Sequence, residues 1–280
     1  MTFLSWRMGK VVVGVVLCAL VWWLLGRPST GLPPRVGGLR VAVANLLGAN
    51  EVPDDASRFL AQLDADVVVL TEWTGANLYG PPLKQAGWQV LLNAPNPGMG
   101  ICVLAREAQL AEAAIVTLPP MGQWEIPVAV LRVTVGDQAM AVLGIHVPPP
   151  VPPYDLFREP TIQAVMSWVR HGRLVDTVGP GIPGDPVLIV GDFNAFSWSD
   201  VMSPVEESGL KDAWEETHWK PGPTWGPWHG FPSVARIDYV FASPDLPMLG
   251  CWTLELPGSD HRMMVAEVGV PMPAGLSDRH

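Results

Sequence analysis

The chain has 280 residues, 49% of them hydrophobic, and a formal net charge of −10. This length fits one large α/β domain of about 240 residues with an appendage. Its mean hydropathy of +0.25 is high for a soluble protein and indicates a membrane segment. Thirty prolines and 28 glycines are dispersed among strand-like runs, which argues against a disordered chain.

The first 27 residues predict a membrane anchor. Residues 11–26 form an uncharged apolar run between Lys10 and Arg27, with Trp22 and Trp23 near its end. The run is shorter than the roughly 20 residues that span a bilayer, and snorkelling of the two flanking cations would make up the difference. A cleaved signal peptide is the alternative. We expect an uncleaved single-pass anchor, with the large domain outside the cytoplasm.

We predict four regions from this pattern: an N-terminal membrane anchor at residues 1–27, a linker at 28–38, one domain at 39–272 and a C-terminal tail at 273–280. The linker is rich in proline and glycine. Beyond residue 40 lie 12 basic and 27 acidic residues, a formal charge of −15. No Lys/Arg run marks a nucleic-acid site, and this charge disfavours duplex DNA as a partner.

The three cysteines have neither metal-ligand nor redox-motif spacing. Cys102 and Cys251 both lie in strand-like runs. We interpret them as buried free thiols, and a disulfide between them remains the alternative.

Within the domain, short apolar runs predict many strands and few helices. The predicted strands are residues 40–45, 66–72, 101–106, 129–135, 140–146, 187–194, 236–243, 251–256 and 263–270. The predicted helices are residues 56–64, with Ser57 as the cap, and 160–178. This balance favours an α/β (α+β) fold, a four-layer αββα sandwich of two packed mixed sheets preceded by the transmembrane helix, over a fully parallel βαβ repeat.

The stretch at 186–195 carries the strongest chemical signal. Its buried apolar run leads into Gly191, which permits close backbone approach, and then into Asp192 and Asn194. With a side-chain period of two, these two residues share a face. A carboxylate and a carboxamide at the end of a buried strand need partners. A plain turn is the alternative, because both residue types favour turns.

Other polar side chains also lie at strand ends: some end a predicted strand, Asp238 lies at the start of one, and Asp260 and His261 precede the last. They are Asn45, Glu72, His146, Asp238, Asp260 and His261. Sites are often built on loops at strand ends. Each residue has a purely structural explanation as a turn residue, helix-start carboxylate, loop histidine or N-cap, but the recurrence favours one shared site.

These motifs resemble those of the endonuclease/exonuclease/phosphatase superfamily, metal-dependent phosphoesterases with the deoxyribonuclease I fold, and specifically its membrane-anchored bacterial members. The resemblance extends over about residues 39–270, in family order. Its motifs are Asn45, Thr71-Glu72, Gly144-Ile-His146, Gly191-Asp-Phe-Asn194, Arg236-Ile-Asp-Tyr-Val-Phe241 and Ser259-Asp-His261.

The resemblance implies a role for each motif residue. Glu72, with Asn45 and Asp260, would hold a divalent cation, Mg²⁺ or Mn²⁺, because hard ions prefer oxygen ligands. Asp192 would activate the attacking water, and Asn194 would bind a phosphate oxygen. His261, oriented by Asp238, would contact the phosphoryl group or protonate the leaving oxygen, and His146 would be a second histidine on the phosphate.

The predicted function is therefore a membrane-anchored, metal-dependent hydrolase acting on phosphoester bonds, as a monomeric domain. A lipid-linked or small phosphodiester, phosphomonoester or pyrophosphate is favoured, with the membrane contacted through residues 11–26. The alternatives are a nuclease of the same fold and an inactive anchored binding domain. Five tryptophans would line an apolar cleft or dip into the membrane interface, or else pack in the core. They are Trp124, Trp198, Trp219, Trp225 and Trp228.

Overall fold

Within the part of the chain that the computed structural model describes, twelve strands form two six-stranded mixed sheets. The described residues are 28–76, 78, 80–106, 110–118, 125–171, 185–227 and 232–270. The first sheet has the order β11-β12-β1-β2-β4-β3 and the second β5-β6-β7-β8-β10-β9. The strands are β1 (Leu39–Asn45), β2 (Val67–Thr71), β3 (Trp88–Ala94), β4 (Ile101–Arg106), β5 (Leu110–Thr117), β6 (Pro127–Val135), β7 (Gln138–His146), β8 (Val187–Asp192), β9 (Lys211–Asp212), β10 (Asp238–Ala242), β11 (Met248–Glu255) and β12 (Arg262–Val268).

Each sheet contains one parallel pair at its centre, β1 with β2 and β7 with β8. The other neighbours within each sheet are antiparallel. The helices are α1 (Pro53–Gln62), α2 (Gly80–Gln85), α3 (Arg158–His171), α4 (Ser203–Glu206) and α5 (Ala213–Thr217), with 3₁₀ turns at Tyr154–Phe157 and Asp200–Met202. Because parallel strands need a crossover, α1 connects β1 to β2, and α3 lies within the β7–β8 connection.

Three buried apolar clusters separate the layers. The central cluster lies between the sheets and includes Val43, Val69 and Val190. One outer cluster packs the first sheet against Leu60 of α1 and Leu83 of α2. The other outer cluster packs the second sheet against α3 and α4. The predicted arrangement of two packed mixed sheets with outer helices is confirmed. It buries the apolar side of every layer against a neighbouring layer.

Several boundaries differ from prediction. The first helix begins at Pro53 rather than residue 56, and Ser57 is not its cap, because the hydroxyl donates back to Pro53 O. Glu72 and Asn194 lie just beyond their strands. The second of the two predicted helices is α3, which begins at Arg158 rather than residue 160. The rest of its predicted length, residues 172–178, lies outside the described residues. Strands β3, β5 and β9 and the short helices α2, α4 and α5 were not predicted.

Residues 28–38, predicted as a linker, run along the first sheet. The Arg40 guanidinium is fully buried and pairs with Glu267, also fully buried, at 2.8 Å. Val36 N and Gly37 N both donate to Glu267. Arg35 adds an ion pair to Asp66 at 2.7 Å. These contacts fasten the segment, which we call the strap, to the base of the domain.

No helix within the described residues is long and apolar enough to cross a bilayer. The predicted anchor at residues 1–27 and the predicted tail at 273–280 lie outside the described residues. Cys102 and Cys251 are free and buried, as expected.

Candidate functional site

The strand register brings the predicted polar residues to one edge of the sandwich. On β1, Val41 and Val43 face the space between the sheets, and Asn45 continues that side. Alternation places His146 and Asp192 on the inner side of β7 and β8, and Asp238 on the inner side of β10. Register pairs Asp192 with both His146 and Asp238. Period-two alternation thus builds the site from the ends of strands in both sheets.

Two glycines allow this close packing beneath the site. A Cβ atom on Gly144 would lie 2.9 Å from a Val69 methyl of the opposite sheet. On Gly191 it would clash with Ile145 O of the neighbouring strand. The close approach that the sequence predicted at Gly191 is present, and a larger residue at either position would push the backbone apart.

Asn45 connects the two sheets. Its Nδ2 donates to Glu72 Oε1 at 3.1 Å and to Asp192 Oδ2 at 2.9 Å. Glu72 Oε2 also accepts from Gly48 N at 2.8 Å. One amide therefore fixes the distance between a carboxylate of the first sheet and one of the second.

The backbone is strained at this edge. Leu47, Glu72 and Asn194 have φ of 55°, 52° and 49°. They are the only non-glycine residues with positive φ in the described chain. Such conformations cost energy and cluster at functional sites. In Asn194 the strain directs the backbone N–H to Asp192 Oδ1 at 2.8 Å and the amide to Val147 O at 2.9 Å.

Asp192 is fully buried in the middle of the cluster. Burial, followed by the charge of Asp238, raises the pKa of Asp192 to about 7. The charge of His261 and the hydrogen bond from Asn45 oppose the rise. A carboxylate whose pKa lies near neutrality is able to take up a proton during turnover.

The two histidines differ in protonation. His261 Nδ1 lies 2.9 Å from Asp238 Oδ2, and its Nε2 lies 4.0 Å from Asp192 Oδ2. Burial lowers the pKa of His261, but the charge and hydrogen bond of Asp238 outweigh it and raise the pKa to about 10. Burial lowers the pKa of His146 to about 4. The site thus holds one charged and one neutral imidazole at pH 7.

His146 and Asn194 lie beside Asp192. His146 Nε2 is 3.7 Å from Asp192 Oδ2 and 3.4 Å from Asn194 Nδ2. Because His146 is neutral, the contact with Asp192 is a polar contact rather than an ion pair.

All five buried side-chain polar atoms that lack a hydrogen-bond partner in the described chain lie in or beside this site. They are Thr71 Oγ1, His146 Nδ1, Arg158 Nε, Asp238 Oδ1 and Asp260 Oδ1. Buried polar atoms normally have partners, so this concentration indicates a place that receives ions or substrate. Asp260 is held through Oδ2 by Trp225 Nε1 at 3.1 Å, which leaves Oδ1 as an oxygen donor for a cation.

Two sets of residues are candidates for a metal. Asp192, Asp238 and His261 place ligand atoms within 4.8 Å of one another. In this set His261 Nδ1 is engaged by Asp238, and the imidazole nitrogen suits a hard divalent ion less well than oxygen does. The predicted set of Glu72, Asn45 and Asp260 supplies only oxygen donors, which suit a hard divalent ion. The donor chemistry therefore fits the predicted set better.

Three supporting residues were not assigned roles from sequence. Thr224 Oγ1 accepts from Asp238 N and from Ile237 N, both at 3.1 Å. Ser259 Oγ donates to Asn45 O at 2.7 Å and accepts from His261 N at 3.0 Å. Arg158 Nη2 donates to Asn194 O at 2.6 Å. Ser259 lies in a recognised motif, whereas Arg158 gave no sequence signal.

The predicted tryptophans have different positions. Trp198 and Trp219 are exposed, and Trp225 holds Asp260. Trp124 and Trp228 lie outside the described residues.

A sequence model of the Endonuclease/Exonuclease/phosphatase family matches residues 42–261, from the first strand to the last site histidine. The chain belongs to this family. Its members are metal-dependent hydrolases of phosphoester bonds, and this protein is such an enzyme. No curated protein sequence matches the chain.

Solved structures share the family fold at low sequence identity. Danio rerio TDP2 with a single-strand DNA product is 17% identical, with a TM-score of 0.63 over 83% of this chain and 99% of that one. The human Nocturnin catalytic domain with bound sulfate is 17% identical, with a TM-score of 0.63 over 83% and 94%. A mannosyl-6-phosphatase of Bacteroides thetaiotaomicron is 17% identical, with a TM-score of 0.64 over 83% and 100%. These likenesses establish the fold.

Proposed function

We propose that this enzyme is a membrane-anchored phosphoesterase that requires Mg²⁺, or Mn²⁺ in its place, and acts on a lipid-linked or small phosphoester. The observation that carries the proposal is the cluster around Asp192, in which Asn45, His146, Asn194, Asp238 and His261 lie at one edge of the two sheets. Phosphoryl transfer requires a positioned water, neutralised phosphate oxygens and an acid for the leaving group. Each requirement has a candidate residue here.

Asp192 is the proposed base. It takes the proton of a water whose oxygen forms the new bond to phosphorus. His261, charged and oriented by Asp238, gives its proton to the leaving oxygen as the old P–O bond breaks. Asn194 and neutral His146 hold non-bridging oxygens of the phosphate, because both lie beside Asp192 without adding negative charge.

Glu72, Asn45 and Asp260 are the proposed cation ligands. A bound divalent cation neutralises charge on the phosphate oxygens. The oxygen-only donor set and the unpartnered Asp260 Oδ1 support Mg²⁺, which favours carboxylate and carbonyl ligands and keeps several waters.

A lipid-linked or small substrate is favoured by the charge and by the N-terminal sequence. The region beyond residue 40 carries a formal charge of −15, which repels a long polyanion. The uncharged apolar run at residues 11–26 would hold the enzyme at a membrane, as a single-pass protein whose catalytic domain lies outside the cytoplasm.

A substrate panel tests this proposal. The purified full chain with Mg²⁺ should release product from a polyprenyl pyrophosphate or a p-nitrophenyl phosphodiester and leave supercoiled plasmid intact. A second candidate, a nuclease, is suggested by the DNA product bound to TDP2 of the same fold. Plasmid nicking without cleavage of the smaller substrates would favour the nuclease, and inactivity on the whole panel would contradict both proposed substrate classes.

A further inference from the structure

The start of the strap is held on β11, the edge strand of the first sheet. Ser29 N donates to Thr253 O at 2.7 Å. Thr253 pairs with Met264, and Val43 pairs with the same residue from the other side. Thr253 is therefore level with Val43, two residues and about 7 Å below Asn45 along the strand.

From Ser29 the strap runs away from the site. Pro33 O accepts from Arg40 Nη2 at 2.7 Å. Val36 N and Gly37 N reach Glu267, which is paired in register with Arg40 near the opposite end of β1. Position 28, the first described residue, consequently lies towards the catalytic end of the domain. Residues 11–26 precede it by a single connecting residue, Arg27.

Exposed apolar side chains concentrate at that same end. Ten large hydrophobic residues are exposed in the described chain, and six lie on the loops that follow β7 and β8 or precede β10. We call these six residues the collar: Val151, Leu156, Phe196, Trp198, Trp219 and Val234. Trp198 is 78% exposed and Trp219 is 87% exposed. Large apolar groups grouped on a surface mark an interaction site.

The collar residues pack with one another and adjoin the proposed catalytic residues along the chain. Phe196 stacks on Trp198 with ring centroids 4.8 Å apart, two and four residues beyond Asn194. Trp198, Trp219 and Val234 line one cavity of about 410 Å³. Leu156 lies two residues before Arg158, whose guanidinium holds Asn194 O. The collar thus borders the side of the site formed by the second sheet.

We propose that the collar contacts the surface of a lipid bilayer, so that the site opens onto the headgroup region of the membrane holding residues 11–26. This inference depends on the membrane attachment in the proposed function. Tryptophan favours the boundary between headgroups and acyl chains. Because the domain is negatively charged, electrostatic attraction to anionic lipid does not hold it at a bilayer. The interaction we propose is therefore burial of the apolar collar side chains in the bilayer surface.

The test uses the full chain reconstituted into phosphatidylcholine vesicles. A polarity-sensitive nitrobenzoxadiazole label is attached to Trp198→Cys or Trp219→Cys in a Cys18→Ser background, because Cys102 and Cys251 are buried. Val90→Cys is the control, since Val90 is 57% exposed on the edge strand β3. We expect the fluorescence emission of the labels at positions 198 and 219 to shift to the blue and to become about twofold or more brighter in vesicles. The reference is the same labelled chain in detergent-free buffer with a soluble lipid analogue. The label at position 90 should show no change.

If the chain floats with the vesicles but the labels at positions 198 and 219 show no emission shift, the inference is overturned and the membrane attachment stands. Chain that does not float would overturn both the attachment and the inference. Because the label is read without substrate, neither result depends on whether the enzyme hydrolyses a phosphoester.

Kinetics give a second readout. The double variant Trp198→Ser/Trp219→Ser should lose about tenfold or more of kcat/KM on a vesicle-borne polyprenyl pyrophosphate. It should keep its activity on a soluble p-nitrophenyl phosphodiester, as should the Val90→Ser control. An equal loss on both substrates would assign the collar to the substrate cleft and contradict membrane contact.

Discussion

Asp192 gains its chemistry from its surroundings. It is fully buried, lies beside one charged and one neutral histidine, and accepts hydrogen bonds from Asn45 and Asn194. Burial and the charge of Asp238 raise the pKa of Asp192 to about 7. A carboxylate at a strand end was evident from sequence, but its pKa depends on partners that lie far away in the chain.

We expect Asp192→Asn to lower kcat by about a hundred- to ten-thousand-fold, as loss of a general base does. The amide retains a similar shape, and its oxygen can still accept one of the two hydrogen bonds that Asn45 and Asn194 donate, so the fold should persist. Steady-state hydrolysis of a soluble phosphodiester and the circular dichroism spectrum measure the two effects. Asp245→Asn, at an exposed turn after β10, is the matched control. Full activity of Asp192→Asn would exclude the proposed base.

At the scale of elements, the first turn of α3 supports Asn194, the proposed phosphate-binding residue. Arg158 donates to the carbonyl of Asn194, whose left-handed φ must be held against its intrinsic cost. Arg158 lies in the helix that precedes β8, and Asn194 lies in the loop just after Asp192, the last residue of β8. The contact between Arg158 and Asn194 therefore joins the helix to the end of the strand.

We therefore expect Arg158→Lys to lower kcat about tenfold. The lysine side chain does not reproduce the guanidinium contact with Asn194 O, so Asn194 moves by a fraction of an ångström. Arg170→Lys, exposed at the other end of α3, should have no effect. Phosphodiester hydrolysis by the two variants provides the comparison. Equal kcat in both would show that the Arg158 contact is not needed to position Asn194.

The strap is a second element with a measurable role. Burial raises the pKa of Glu267, but hydrogen bonds from Gly37, Arg40 and Val36 lower it more, so the net pKa is below its ordinary value. A depressed carboxylate pKa stabilises the fold above the unfolded value of about 4.3, and this stabilisation is lost as pH falls through the folded pKa.

Glu267→Gln should lower the free energy of unfolding by about 3 kcal/mol at pH 7, because it leaves Asp64 as the one carboxylate that still pairs with the buried Arg40 charge. The difference from wild type should shrink as the pH falls below 4. Urea titrations at pH 7 and at lower pH measure both. Asp54→Asn, in an exposed pair with Arg58, is the control. A difference that stays constant with pH would contradict the ionised pair.

Sequence predicted the elements whose signal is local. The β-branched runs of β2 and β8 and the polar residue following each were predictable from the pattern. Strand β5 was missed because its alanines give no strand signal, and α2 because prolines occupy its first turn. Thr224 and Arg158 act through contacts with residues 14 and 36 positions away in the chain, and periodicity carries no information about such contacts.

At the scale of the whole molecule, two mixed sheets bring the ends of two parallel strand pairs together. The first sheet contributes Asn45 and the neighbouring Glu72, and the second contributes His146 and Asp192. Neither sheet alone holds both the proposed cation ligands and the proposed base. Function at this scale therefore depends on how the sheets pack, including the close approach at Gly144.

The most direct test of metal-dependent hydrolysis at this site is phosphodiester turnover by the full chain after chelation, followed by graded addition of Mg²⁺ or Mn²⁺. We expect no turnover after chelation, full recovery in wild type, and recovery in Glu72→Gln only at much higher metal concentration, because one anionic oxygen ligand is lost. Turnover that persists in chelator, or identical metal dependence in wild type and Glu72→Gln, would contradict the account.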